Sequence, residues 1–239
     1  MIRQHSCQET TLRESKAVVF DLDDTLYLER DFVKSGFQAV SQWLADHCKL
    51  DGDKAFDILW AMFCEGHRGD LFDKLVETFT VTDFNIGDLI AVYRQHTPNI
   101  APFKGIIPLL KCLRKNNKLG LLSDGFLEVQ KKKLDALGLA GYFDEVVFSD
   151  ELGRDCWKPS TIPFEMIIQQ LNVQPCEAVY IADNPEKDFK GPNKLGMDSI
   201  RIRIEGGEHY SKEPQSNEFA PSNIVYSVCQ LVEELGVKI

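Results

Sequence analysis

Apolar residues follow two different rhythms along this chain, and the change of rhythm divides it. Ala17-Val18-Val19-Phe20 is a short apolar run with β-branched residues, the pattern of a strand buried on both faces, and it stops abruptly at Asp21. From Glu29 to about His96, apolar residues recur instead at intervals of three and four. Phe32, Phe37, Val40, Trp43 and Leu44 form one such series and Phe56, Leu59, Trp60 and Phe63 another, which predicts three or four helices and no strand. From Pro102 onward the two patterns alternate. Strands are predicted at Leu119 to Leu122, Glu145 to Phe148, Ala178 to Ala182 and Ser199 to Ile204. Between and around them fall helices near Ile106 to Lys115, Phe126 to Leu137 and Pro163 to Leu171, a short one ending at Gly196, and a last one ending near Leu235.

Repeated strand and helix units argue for a parallel sheet with helices on both faces. The first strand then belongs to the same sheet as the later ones, with about 75 helical residues inserted between them. The expected architecture is α/β: a Rossmann-like, doubly wound parallel-sheet core of residues 1–27 and 101–239, carrying an all-helical domain of residues 28–100. The polar stretch Glu205 to Asn223 is longer than an ordinary connection, which predicts a mobile or partner-facing element.

In an open parallel sheet, ligands bind outside the carboxyl ends of the strands, so the polar residues that close each apolar run are the first candidates for chemistry. Asp21-Leu22-Asp23-Asp24-Thr25 places three carboxylates within four residues, an arrangement that repels itself unless a cation is bound or the turn merely caps a helix. An EF-hand calcium loop does not fit, because its sixth position would be Leu26 and its twelfth Phe32. Ser123-Asp124-Gly125 follows a strand and opens a helix, where a hydroxyl and backbone N–H groups can hold an anion, although the tripeptide is also a common turn. Lys158 precedes Pro159, which biases it toward extended backbone; a surface lysine would look the same. Asp183 closes a very apolar strand, with Asp188 five residues on. Brought to one rim, two acidic strand ends, a hydroxyl and a lysine make a phosphoryl site, with Mg2+ as the hard cation that suits carboxylate and phosphate oxygens.

Composition narrows the partners. The 239 residues are 44% hydrophobic and 27% charged, an ordinary globular balance, and the net charge of -10 repels nucleic-acid backbones and anionic lipid. An anionic substrate must therefore be attracted locally, by a metal, a lysine or aligned N–H groups. No run approaches a membrane span and the first residues lack a signal-peptide core, so a cytoplasmic protein is expected, with its 7 scattered cysteines as reduced thiols. Lys131-Lys132-Lys133 reads as a solvated helix face, and Trp43, Trp60 and the neighbouring phenylalanines as the core of the helical insert.

The motifs, in this order, resemble those of the haloacid dehalogenase superfamily, in particular its phosphatases with a helical cap between the first and second motifs. Asp21-Leu22-Asp23-Asp24-Thr25 is similar to D-x-D-x-T, Ser123 to the Ser/Thr of the second motif, Lys158 to the family lysine, and Asp183 with Asp188 to D-x-x-x-x-D. Ala182 stands where glycine is common before the last motif, and Gly191-Pro192 interrupts the helix that usually follows it. The resemblance implies that Asp21 attacks phosphorus to form an aspartyl-phosphate, that Asp23 is the acid and base, and that Ser123, Asp124, Gly125 and Lys158 hold the phosphoryl group. It implies Mg2+ on Asp21, Asp23 through its backbone carbonyl, and Asp183, with Thr25 and Asp188 standing behind these ligands. In the cap, Arg30, His67 and Arg68 are the candidate substrate contacts. The layout is similar to that of N-acylneuraminate-9-phosphatases and phosphoglycolate-type phosphatases, which implies a small-molecule phosphate ester, a sugar phosphate by preference. A phosphomutase would share every catalytic residue, and a non-catalytic phosphate-binding or signalling protein is the further alternative. Receiver modules lack a helical insert and carry their phosphoacceptor on a later strand.

Overall fold

The strands β1 (Ala17–Phe20), β2 (Lys118–Ser123), β3 (Glu145–Phe148), β4 (Ala178–Ala182), β5 (Asp198–Ile202) and β6 (Asn223–Val225) form one sheet in the order β3-β2-β1-β4-β5-β6. Every pairing is parallel. The computed structural model describes residues 15–79 and 84–239. Helices α1 (Glu29–Cys48), α2 (Gly52–Cys64), α3 (Leu71–Phe79) and α4 (Ile86–Gln95) follow β1. The helices α5 (Ile106–Leu113), α6 (Leu127–Ala136), α7 (Ile162–Leu171), α8 (Lys190–Leu195) and α9 (Val228–Glu234) alternate with the remaining strands. The chain divides into two compact units, one holding the described residues up to Glu29 with Ala101–Ile239, the other Arg30–Ile100.

β1 is central and buried throughout, which is why its sequence shows no polar alternation. Ala17 and Val19 share an apolar cluster with Phe164, Ile167, Ile168 and Leu171 of α7. Gly120 in β2 permits that approach: a Cβ there would lie 2.8 Å from Ile167 Cδ1. The helical unit has its own core of Phe37, Val40, Leu44, Ala55, Leu59, Leu75 and Leu89. Its helix starts are capped locally. The Asp51 side chain accepts from Lys54 N, and Asn85 with Asp88 forms a reciprocal capping box on α4.

The structure departs from the sequence expectations at the far edge of the sheet. A sixth strand, β6, pairs with β5, and at 3 residues it is too short to leave a periodic signature. The stretch 205–223 is held to the core rather than free. Arg201 in β5, fully buried, donates from Nε to Asp183 O (2.9 Å) and from its two terminal nitrogens to Lys212 O (2.9 Å) and His209 O (2.8 Å). Asn193 Nδ2 donates to Glu218 O and Ala220 O, at 3.0 and 2.8 Å. One buried guanidinium satisfies three backbone carbonyls, which fixes a segment that composition alone describes as loose. Cys48, Cys64, Cys112, Cys156 and Cys229 are free thiols, whereas Cys176 is disulfide-bonded, against the expectation that all were reduced. Among the described residues no helix is long and apolar enough to cross a membrane.

Candidate active site

Strand order locates the site. The chain steps outward from β1 to β2 and β3, then returns to place β4 on the other side of β1, so the connections that leave the carboxyl ends of β1 and β4 part in opposite directions and open a crevice. Asp21 and Asp183 are the residues that leave those two ends, held level by Asp21 N donating to Ile181 O at 2.8 Å. Ser123 closes β2 beside them, and Lys158 arrives from the segment between β3 and α7. A cleft of about 140 Å3 lies here, lined among others by Asp21, Asp23, Glu29, Asp183, Lys187 and His209.

On one wall, carboxylates outnumber cations. Lys158 Nζ lies 2.8 Å from both Asp21 Oδ1 and Asp188 Oδ1 and donates to the Tyr180 hydroxyl oxygen at 2.9 Å. The carboxylates of Asp21, Asp183 and Asp188 can each bring one oxygen within 4.8 Å of the others. Burial pushes the Asp21 carboxyl up to about 7, with Lys158 opposing and Asp188 adding repulsion. Asp183 is pushed well above the carboxylate range by burial and then by Asp188, Asp24 and Asp21. Lys158 stays protonated far past its ordinary range despite burial, because Asp188 and Asp21 flank it. Three hard oxygen donors crowded without enough positive charge fit a small divalent cation such as Mg2+, whose charge would offset their mutual repulsion. Asp188, fully buried, is the third member of this trio. Its Oδ2 accepts from Asn184 N at 2.9 Å, which ties the turn after β4 to the cluster. The Asp23 side chain is not part of the trio.

The other wall is neutralised by the protein itself. Asp23 Oδ1 accepts from the Tyr27 hydroxyl at 2.5 Å and from Lys133 Nζ at 2.7 Å, and its Oδ2 accepts from Gln130 Nε2 at 2.8 Å. Burial pushes this carboxyl up, but the Lys133 charge and hydrogen bond, aided by Tyr27 and Gln130, overcome it and hold Asp23 below its ordinary range. Lys133 is only 3% exposed and also donates to Glu29 Oε1 at 3.2 Å. The solvated Lys131-Lys132-Lys133 face expected from composition therefore fails at its third member. Gln130 and Lys133, three apart on α6, face the same way into the site. Their helical spacing was readable in the sequence, but nothing in it marked Asp23 as the partner.

Around these walls the remaining candidates are fixed by hydrogen bonds. Ser123 Oγ accepts from Gln130 Nε2 at 2.7 Å, and Gly125 has φ +131° with Gln130 Cδ 3.0 Å from where its Cβ would stand. Asp124 accepts from Ser149 Oγ at 2.6 Å and from Lys187 Nζ at 3.1 Å. Burial opposes its ionisation, but Lys158 and Lys187 hold it below its ordinary range. Thr25 is buried, and its Oγ1 has no hydrogen-bond partner among the described residues. Asp24, at φ +51°, accepts from Glu29 N and Glu208 N, both at 2.8 Å, and burial pushes it up to about 7. Lys187 and His209 line the cleft without having been expected there. In the helical unit, Arg30 lies over the Trp60 ring at 5.5 Å and Arg68 over the Phe63 ring at 3.9 Å. Arg68 also donates to Phe63 O and His67 O, and His67 Nδ1 lies 2.8 Å from Lys74 Nζ.

Comparison with known proteins places this geometry. Residues 15–196 match the family model described as haloacid dehalogenase-like hydrolase. The glyceraldehyde 3-phosphate phosphatase of Methanopyrus kandleri is 31% identical over 216 residues, covering 86% of this chain and 91% of that protein. The pyrimidine 5'-nucleotidase YjjG of Escherichia coli is 29% identical over 232 residues, covering 91% and 96%. A HAD phosphatase from Thermococcus onnurineus has a similar structure, with a TM-score of 0.60, 25% identity and coverage of 92% and 98%. With its acidic crevice at the switch of strand order and matches along most of its length, the chain belongs to the haloacid dehalogenase-like hydrolases, and phosphatases are among its relatives.

Proposed function

We propose that this protein is a Mg2+-dependent phosphatase that hydrolyses a small phosphomonoester, a sugar or triose phosphate by preference, through an aspartyl-phosphate on Asp21. The observation that carries this reading is the Asp21 carboxylate at the β1/β4 crevice, 2.8 Å from Lys158 and grouped with Asp183 and Asp188. Relatives named as glyceraldehyde 3-phosphate phosphatases and a cleft of about 140 Å3 support a small substrate.

In the first half of the cycle an Asp21 oxygen bonds to phosphorus and the ester O–P bond breaks. The leaving oxygen keeps the electron pair and takes a proton from Asp23. Asp23 is ionised in the free protein; the charge of the arriving phosphate raises its proton affinity, so it takes up a proton from solvent on binding and returns one to solvent when phosphate leaves. In the second half a water oxygen bonds to phosphorus while Asp23 accepts the water proton. The Asp21 O–P bond breaks, its electron pair returns to the carboxylate, and inorganic phosphate leaves. Lys158 and Ser123 hold phosphoryl oxygens through both halves, with the backbone of Asp124 and Gly125 beside them. Asp21, Asp183 and Asp188, with the Asp23 carbonyl, would hold the Mg2+, which when bound supplies positive charge to the phosphoryl oxygens and screens the nucleophile.

The test is a panel of phosphomonoesters assayed for released phosphate, with Mg2+ or EDTA, beside Asp21→Asn. Mg2+-dependent release from sugar or triose phosphates is expected, with turnover reduced by about 10⁴-fold or more in Asp21→Asn. Wild-type turnover in that variant would refute the mechanism. An isomeric phosphate ester in place of free phosphate would identify a mutase.

A further inference from the structure

The two oxygens of Asp23 are not equivalent. Oδ1 receives two donors, the Tyr27 hydroxyl and the Lys133 ammonium, which fill both of its lone pairs. Oδ2 receives one, from Gln130 Nε2, and keeps a lone pair, since Asp23 has no further partner among the described residues. Lys133 is itself locked. It is 3% exposed, comes from α6 110 positions away in sequence, and is braced on its far side by Glu29 Oε1 at 3.2 Å. A solvated lysine would swing; a buried one between two carboxylates keeps its partner's rotamer.

We propose that Lys133 is a positioning residue that saturates Asp23 Oδ1 and thereby makes Oδ2 the oxygen through which the catalytic proton passes. It touches neither substrate nor phosphorus and acts only through Asp23. This rests on the reading of Asp23 as acid and base given above. In the second half of the cycle, water forms its bond to phosphorus as its proton goes to Oδ2 and the Asp21 O–P bond breaks. With Lys133 removed, the Asp23 carboxylate rotates and the proton acceptor is misplaced.

The experiment uses p-nitrophenyl phosphate in a stopped-flow instrument with Lys133→Met, Lys133→Arg, Asp23→Asn and the double variant Asp23→Asn/Lys133→Met. p-Nitrophenolate leaves without needing a proton, so phosphoryl transfer to Asp21 persists while its hydrolysis slows. Lys133→Met is therefore expected to show a burst of one p-nitrophenolate per enzyme followed by a steady rate about 10- to 100-fold below wild type, with KM not raised. Lys133→Arg keeps a charged donor and recovers part of the steady rate. Adding Lys133→Met to Asp23→Asn is expected to cost no more, since the lysine acts through a group already disabled. A residue of merely structural importance would lower burst and steady rate together, and that result in Lys133→Met would overturn the proposal. So would additive losses in the double variant. If Lys133→Met does not fold, the Lys133→Arg protein carries the same test, and a reduced burst in it is equally decisive against the idea. Asp23→Asn separates the two layers: a burst there without one in Lys133→Met rejects the role of Lys133 alone, whereas no burst in Asp23→Asn rejects the role of Asp23.

Discussion

Asp21 and Asp23 are two residues apart on one turn, yet their surroundings push them in opposite directions. Asp21 shares a buried volume with Asp183 and Asp188, and burial raises it to about 7. Asp23 is held below its ordinary range by Lys133, Tyr27 and Gln130 against the same burial. One pole lacks positive charge that the protein does not supply; the other brings its own. In the proposed mechanism the nucleophile is the carboxylate left for a cation to neutralise, and the proton carrier is the one that Lys133 already holds. The pole short of charge is the one that should be less stable without metal, and the self-satisfied pole should be indifferent to it.

The largest effect expected from that contrast is at Asp183. Asp183→Asn removes one of the proposed Mg2+ ligands and should lower Mg2+-dependent turnover by about 10³-fold or more. Yet it relieves a buried charge that burial and three neighbouring carboxylates disfavour, so in EDTA the variant should melt above wild type. A lower melting temperature in EDTA would contradict the description of this pole as strained by its own charge.

The second effect is a pH dependence. A carboxyl whose pKa is raised on folding contributes nothing unfavourable below its unfolded value. It then costs stability progressively as pH rises through the folded value. For Asp21 and Asp24 that window runs from 3.8 to about 7, so metal-free protein should lose stability across it. In the proposed site Mg2+ competes with protons for Asp21, so the melting-temperature gap between Mg2+-loaded and EDTA-treated protein should widen from pH 5 to pH 8. Calorimetry at several pH values measures this, and a gap that narrows would be inconsistent with it.

A smaller, structural effect is expected at Arg201→Met. The Asp183 carbonyl and the carbonyls of His209 and Lys212 lose their shared donor, at a cost of about 3 kcal/mol or more in unfolding by denaturant. A loss well under this would mean that water replaces the guanidinium.

The sequence showed the strand ends plainly, because buried parallel strands are apolar throughout and their first polar residue is conspicuous: Asp21 after Phe20, Ser123 after Leu122, Asp183 after Ala182. It concealed what depends on pairing across long separations. Lys133 sits in a run of three lysines that looks solvated, and only the fold brings Asp23 to it. Arg201 occupies a strand position where a charge suggests an exposed edge, and its burial becomes reasonable only when three carbonyls converge on it. The stretch 205–223 looked loose for the same reason, since the groups that Arg201 and Asn193 hold there are backbone carbonyls, which have no residue signature.

An aspartyl-phosphate on Asp21 is open to chemical trapping. Enzyme mixed with Mg2+ and a substrate ester, quenched in acid and reduced with borohydride, should yield homoserine in place of Asp21 in the peptide mass spectrum, since an acyl phosphate is reduced where a carboxylate is not. Homoserine is expected at position 21 in the wild-type protein and not in Asp21→Asn. Steady phosphate release with residue 21 unmodified, or with the label on another carboxylate, would contradict it.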